Sequence, residues 1–67
     1  YFEKIKSHDK LWELKYRGTK GFNYRVICAI CGNKIVCLEM FHGSGKKGLS
    51  RYLPTAKIRA SDLKNVE

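Results

Sequence analysis

Between Tyr24 and Phe41 the chain reads YRVICAICGNKIVCLEMF, two short apolar runs separated by Gly32-Asn33-Lys34. Runs of this length, bounded by turn residues and rich in β-branched side chains, form strands rather than helices. A tight antiparallel hairpin over these residues is therefore the feature around which the fold must be built.

Its register follows from side-chain parity, because directly opposed residues in an antiparallel pair share a face. A three-residue loop, Gly32 to Lys34, sets Cys31 opposite Ile35 and Cys28 opposite Leu38. Tyr24, Val26, Cys28 and Ile30 then join Val36, Leu38 and Met40 on one dry face, with Arg25 and Glu39 together on the wet one. A two-residue turn sets Glu39 beside Val26, a charge against an apolar neighbour. The three-residue loop is thus expected, and with it no bridge between Cys28 and Cys37.

All three cysteines lie in this hairpin. Cys28, Cys31, Cys37 and His42 are of the ligand types that structural zinc accepts, and Gly32 after Cys31 suits a metal knuckle. Residues three apart on a strand point to opposite faces, however, so Cys28 and Cys31 converge only if the strand breaks. A second CxxC pair is missing as well. The cysteines are expected to pack as small apolar groups, with no metal and no cofactor.

Upstream, Trp12, Leu14 and Tyr16 alternate with Glu13, Lys15 and Arg17, the period of a strand with one dry and one wet face. The two glycines of GTKGFN supply a loop, so a first hairpin precedes the second. Downstream, HGSGKKGLSRY is glycine-rich and basic and is expected to be irregular. Pro54 suits the first turn of a helix running to about Asn65, with Leu53, Ala56, Ala60 and Leu63 as its apolar stripe. The expected fold is α+β: a small, mostly antiparallel sheet of three to four strands with a C-terminal helix, allowing one N-terminal helical turn.

At 67 residues this is one small domain, a size that buries only about 60% of the unfolded chain's surface. Its 43% hydrophobic content is too high for a disordered segment. No apolar run reaches the roughly 18 residues that span a bilayer, so no membrane association is expected. An odd count of three cysteines and no signal peptide ahead of them predict a reducing cytoplasm.

Fourteen Lys and Arg against six Asp and Glu give a formal charge of +8, which favours phosphate polymers. The wet face offers Lys15, Arg17 and Arg25, and the loop after the last strand brings Lys46 and Lys47 to the same end. Such a basic concavity can hold a nucleic-acid backbone. GSGKKG lacks the GxxxxGK[ST] pattern and therefore does not read as a nucleotide-hydrolysing loop. His8 lies in a polar segment and reads as solvated, whereas His42 borders the basic loop and is the better candidate for proton transfer.

The blocks LWELKYRG, YRVICAICGNKIVCL, GKKG and AKIRASDL, in this order across roughly Leu11 to Leu63, resemble the RelE and HigB superfamily of bacterial toxins, notably its phage-associated branch. The resemblance implies a toxin of a toxin-antitoxin module, a ribosome-dependent messenger RNA endonuclease silenced by a cognate antitoxin that covers the basic face. Carried over by position, Arg25 and Lys47 stabilise the phosphorane charge, while Lys15, Tyr52 or His42 moves protons as the ribose 2′-hydroxyl attacks phosphate. Arg17, Lys20, Lys46 and Arg51 contact RNA.

That family normally opens with a pair of helices packed on the sheet, whereas only Tyr1 to Lys10 precedes the first strand here. The expectation is one RelE-like domain whose N-terminal helices are truncated or absent. The dry face with Trp12, Val26 and Leu38 is then covered only by the closing helix and a short N-terminal segment, which favours a homodimer or another bound partner. Competing readings are a gyrase-directed toxin of the same fold, a zinc-knuckle nucleic-acid binder with no enzyme activity, and a phage remnant that only binds a protein partner.

Overall fold

The computed structural model describes residues 2–8, 10–18, 23–43 and 45–67, with only the backbone of Lys46. Its elements are β1 (Phe2–Lys4), β2 (Trp12–Arg17), β3 (Asn23–Cys31), β4 (Lys34–His42) and α1 (Lys46–Ser61). The strands form an antiparallel meander in the order β1-β2-β3-β4, so the protein is α+β with one C-terminal helix. A short strand, not a helical turn, precedes β2. Among the described residues no helix is long and apolar enough to cross a membrane.

The β3–β4 hairpin departs from the expected register at its tip and obeys it further on. Cys31 pairs with Lys34, which leaves a two-residue turn of Gly32 and Asn33. Gly32 takes φ 62, the positive angle that the first central position of such a turn demands and glycine supplies without strain. Carried along the whole hairpin, this turn sets Glu39 beside Val26. A β-bulge between Ile27 and Cys28 removes the conflict by placing Leu38 as an extra residue in β4. Beyond it Ile27 pairs with Glu39, Val26 with Met40 and Arg25 with Phe41. At the tip Cys28 therefore faces Cys37 rather than Leu38, and Leu38 turns toward the helix.

The larger correction concerns which face the helix covers. Alternation separates the two faces of β2 correctly, but α1 packs on the one carrying Glu13, Lys15, Arg25 and Ile27. Glu13 is 3% exposed and Arg25 5%, while Leu14 on the apolar face is 40% exposed. Between α1 and the sheet lies the core of Ile5, Leu11, Ile27, Ala29, Leu38 and Phe41, to which the helix itself contributes Ala56. The other face is open. It presents Phe2 stacked on Trp12 at 4.9 Å, with Leu14, Tyr16, Tyr24, Ile35 and Met40 exposed around them.

The central residues of β3, Ile27, Cys28 and Ala29, are apolar on both faces, so either face could supply a core. The charged face prevails because Glu13 and Arg25 neutralise each other and because the bulge adds Leu38 to that side.

The helix begins eight residues before Pro54, at Lys46. Leu49 and Tyr52 extend the expected stripe of Leu53, Ala56 and Ala60, and Leu63 packs on the same core past the helix end. This burial holds the Gly- and Lys-rich segment helical despite its composition. At the chain end, Val66 bridges Cys31, and the Glu67 amide donates to the Ile30 carbonyl at 2.9 Å. The tail thus pairs with β3 beyond Cys28, where β2 no longer reaches.

Pro54 stands inside α1, where it removes one i→i−4 hydrogen bond and crowds the Ser50 carbonyl. It is exposed. Pro54→Ala is expected to stabilise the protein by about 1–3 kcal/mol. Thermal unfolding checks this, and an unchanged or lower midpoint would show that the proline supports the helix.

Candidate nucleic-acid interface

Pairing of Lys15 with Arg25 and of Arg17 with Asn23 gathers three cations on the face that α1 partly covers. Gly43 at φ 130 and Gly45 at φ 85 then turn the chain from β4 into the helix. Both angles lie where side-chain-bearing residues are strained, which explains the glycines in this segment. The Gly43 amide donates to the Asn23 carbonyl at 3.0 Å, fixing the loop to the start of β3.

Arg25 is the hub of this region. Its Nε donates to Glu13 Oε2 at 2.5 Å, and its Nη1 donates to the Gly45 carbonyl just ahead of the helix. The guanidinium lies 5.0 Å from the centroid of Phe41, which stacks on Tyr52 at 4.9 Å. Arg51 caps the column 5.8 Å from the Tyr52 ring. Sheet, loop and helix are thereby joined through two stacked rings, each with a guanidinium near it.

Glu13 also faces a second cation. The Lys15 ammonium lies 3.3 Å from Glu3 and 3.9 Å from Glu13, with about 40% of its side chain exposed. The Glu13 charge is thus shared between Lys15 and Arg25. Arg17 is exposed and has no acidic partner among the described residues.

A cleft of about 360 Å³ opens among Lys15, Tyr16, Arg17, Asn23, Arg25, Gly43 and Gly45. A second, of about 500 Å³, shares Lys15, Arg25 and Gly45 and continues along Glu3, Lys6, Leu49 and Ser50. The N-terminus of α1 begins beside them. Its cap, Gly45, contributes no side-chain hydrogen bond, and the first turn carries no acidic residue. Its open amides therefore add positive partial charge where Lys47 is exposed.

Lys15, Arg17 and Arg25 thus line one cleft, with Lys47 in the first turn of the adjoining helix and Arg51 one turn further on. Tyr52 is half-buried in the ring stack. His42 stands apart, since it pairs with Tyr24 and so lies on the face opposite Lys15 and Arg25. His8 is half-buried, with Nδ1 enclosed and without a hydrogen-bond partner, in contrast to the solvated residue expected. Lys20 and the side chain of Lys46 lie outside the described residues. Among those described, no three His, Cys, Asp or Glu side chains gather where they could hold a metal ion.

Glu13, Phe41 and Gly48 also belong to this region, although none is a candidate from the sequence alone. Deriving the β2–β3 register from Lys15 and Arg25 would have exposed Glu13, because it sits diagonally across from Arg25. Gly48 carries no signal in the sequence, since its role follows from how closely the helix approaches the sheet.

A Cβ at Gly48 would stand 2.9 Å from Phe41 Cε2, inside van der Waals contact. Exposed glycine-to-alanine changes in a helix stabilise by about 1 kcal/mol. Gly48→Ala is expected to reverse that sign and destabilise by about 1–2 kcal/mol, as overpacking does. Chemical denaturation measures it, and a stabilised variant would mean that the helix does not lie this close to Phe41.

Comparison with protein-family models, with curated proteins and with solved structures found no match to this chain.

Proposed function

We propose that the domain binds RNA along the cationic cleft and acts as a RelE- and HigB-type endonuclease on ribosome-bound messenger RNA. The carrying observation is that Lys15, Arg17 and Arg25, from two strands, line a cleft beside the uncapped N-terminus of α1. Phosphate groups are the ligands that this chemistry suits.

The residues divide by their surroundings. Arg17 and Lys47 are exposed, so they supply charge to a phosphate without first breaking an internal ion pair. Arg25 lines the cleft while bound to Glu13 and Gly45, which makes its main task the positioning of the helix N-terminus against the sheet. In cleavage, the ribose 2′-hydroxyl attacks the adjacent phosphate, and negative charge grows on the non-bridging oxygens. Arg17, Lys47 and the first-turn amides of α1 offset that charge. Lys15, between Glu3 and Glu13, lines both clefts and is the first candidate for proton transfer, with Tyr52 the second.

The partners of this reading are the ribosome with its messenger RNA and an antitoxin protein that covers the cleft. Self-association through the open apolar face of the sheet is part of the same proposal, and cytoplasmic residence fits the three free thiols.

One observation favours a second reading, a non-enzymatic RNA binder. His42 is on the far face, and neither it nor His8 is among the residues that line the two clefts. The two readings separate in one experiment on Arg17→Ala and Lys47→Ala, both at exposed positions. An endonuclease loses at least ~100-fold in cleavage of ribosome-bound message when a transition-state charge is removed, with little change in affinity. A binder shows no cleavage, and each substitution lowers the salt dependence of RNA affinity by about one unit of log slope. Wild-type protein that neither cleaves nor binds RNA would refute both.

A further inference from the structure

Cys28 and Cys37 are register partners across the β3–β4 hairpin, on the open face of the sheet. The two-residue turn places them so, and the bulge confines that register to the tip of the hairpin. The register that holds beyond Ile27 would set Cys28 against Leu38 if it continued to the tip. Opposed residues in an antiparallel pair have Cα atoms about 4.5–5.5 Å apart, and disulfides form across about 4.4–6.8 Å.

The two thiols have different surroundings. Cys28 is 1% exposed, and its Sγ approaches the Trp12 carbonyl at 3.6 Å, whereas Cys37 is exposed. Burial raises the Cys28 pKa, and the nearby Cys37 raises it further. Cys31, three residues on, is on the opposite face beside Val66 and cannot reach Cys37 without breaking the strand.

We propose that Cys28 and Cys37 are a reversible thiol-disulfide site, in which exposed Cys37 reacts first with a small disulfide of the glutathione type and buried Cys28 resolves the adduct. In the first step the Cys37 thiolate attacks one sulfur of the oxidant. The oxidant's S–S bond breaks, and one thiol leaves with the proton that Cys37 gave up. In the second step Cys28 loses its proton and attacks Cys37 Sγ, and the remaining small thiol leaves as that mixed bond breaks. Two protein thiols are oxidised and one small disulfide is reduced to two thiols. The new bond ties β3 to β4 at the bulge, so oxidation fixes the register that sets Phe41 beside Arg25.

The test treats the native Cys31→Ser variant with excess oxidised glutathione, quenches by alkylation and maps tryptic peptides, since cleavage after Lys34 separates the two cysteines. A Cys28–Cys37 bond is expected, with no alkylation at either site. Cys28→Ser should retain a stable glutathione adduct on Cys37, and Cys37→Ser should leave Cys28 nearly unreactive until the protein unfolds. In wild-type protein the same bond should form with Cys31 still alkylated. Persistent adducts on Cys37 with Cys28 present, or bonds involving Cys31 in the wild type, would overturn the proposal.

Discussion

The ion pair between Glu13 and Arg25 is the interaction on which the remaining structure depends. It lies under the start of α1, where both residues are almost wholly withdrawn from solvent. An unpaired charge in that position costs several kcal/mol, so each residue makes the other's burial possible. With its free nitrogens Arg25 then reaches the Gly45 carbonyl and the face of Phe41. A single guanidinium thus determines where the loop ends, where the helix begins and which face of the sheet the helix covers.

The far end of the helix has a related attachment. Arg59 donates from Nη1 to the Leu38 carbonyl at 2.5 Å and to Glu39 at 3.2 Å, at the bulge. The bulge therefore serves packing and registration together: it turns Leu38 into the core, presents its carbonyl to the helix and keeps Glu39 on the same face as Arg25. Between the two arginines, Gly48 permits close approach to Phe41, and Ala56 and Ala60 keep the helix low on the sheet. Burial along this line outweighs the cost of Pro54 within the helix.

Much of this was legible in the residues. The apolar runs about Gly32-Asn33 revealed the hairpin, and alternation in β2 revealed two chemically distinct faces. The shared face of Arg25 and Glu39 was also correct, although it is the buried one. Misassignment of the faces had a physical cause: polarity predicts exposure only for groups that lack an internal partner, and Glu13 and Arg25 are partners across two strands. A register held constant along the strands cannot give the hairpin tip, because one bulge lets the favoured two-residue turn coexist with the favoured pairing beyond it. The helix start was missed because Pro54 and three nearby glycines outweigh the short apolar stripe in any local reading. Of the candidate site, Lys15, Arg17 and Arg25 follow from alternation and pairing, whereas the separation of His42 follows only from the register at the end of β4.

A double-mutant cycle at Glu13 and Arg25, read by equilibrium denaturation, tests the account most directly. Glu13→Gln and Arg25→Met should each destabilise the protein by about 2–4 kcal/mol, and the double variant should lose much less than their sum, a coupling of at least about 2 kcal/mol. Additive effects, with coupling near zero, would mean that the pair does not hold the helix on the charged face and would contradict the fold described above.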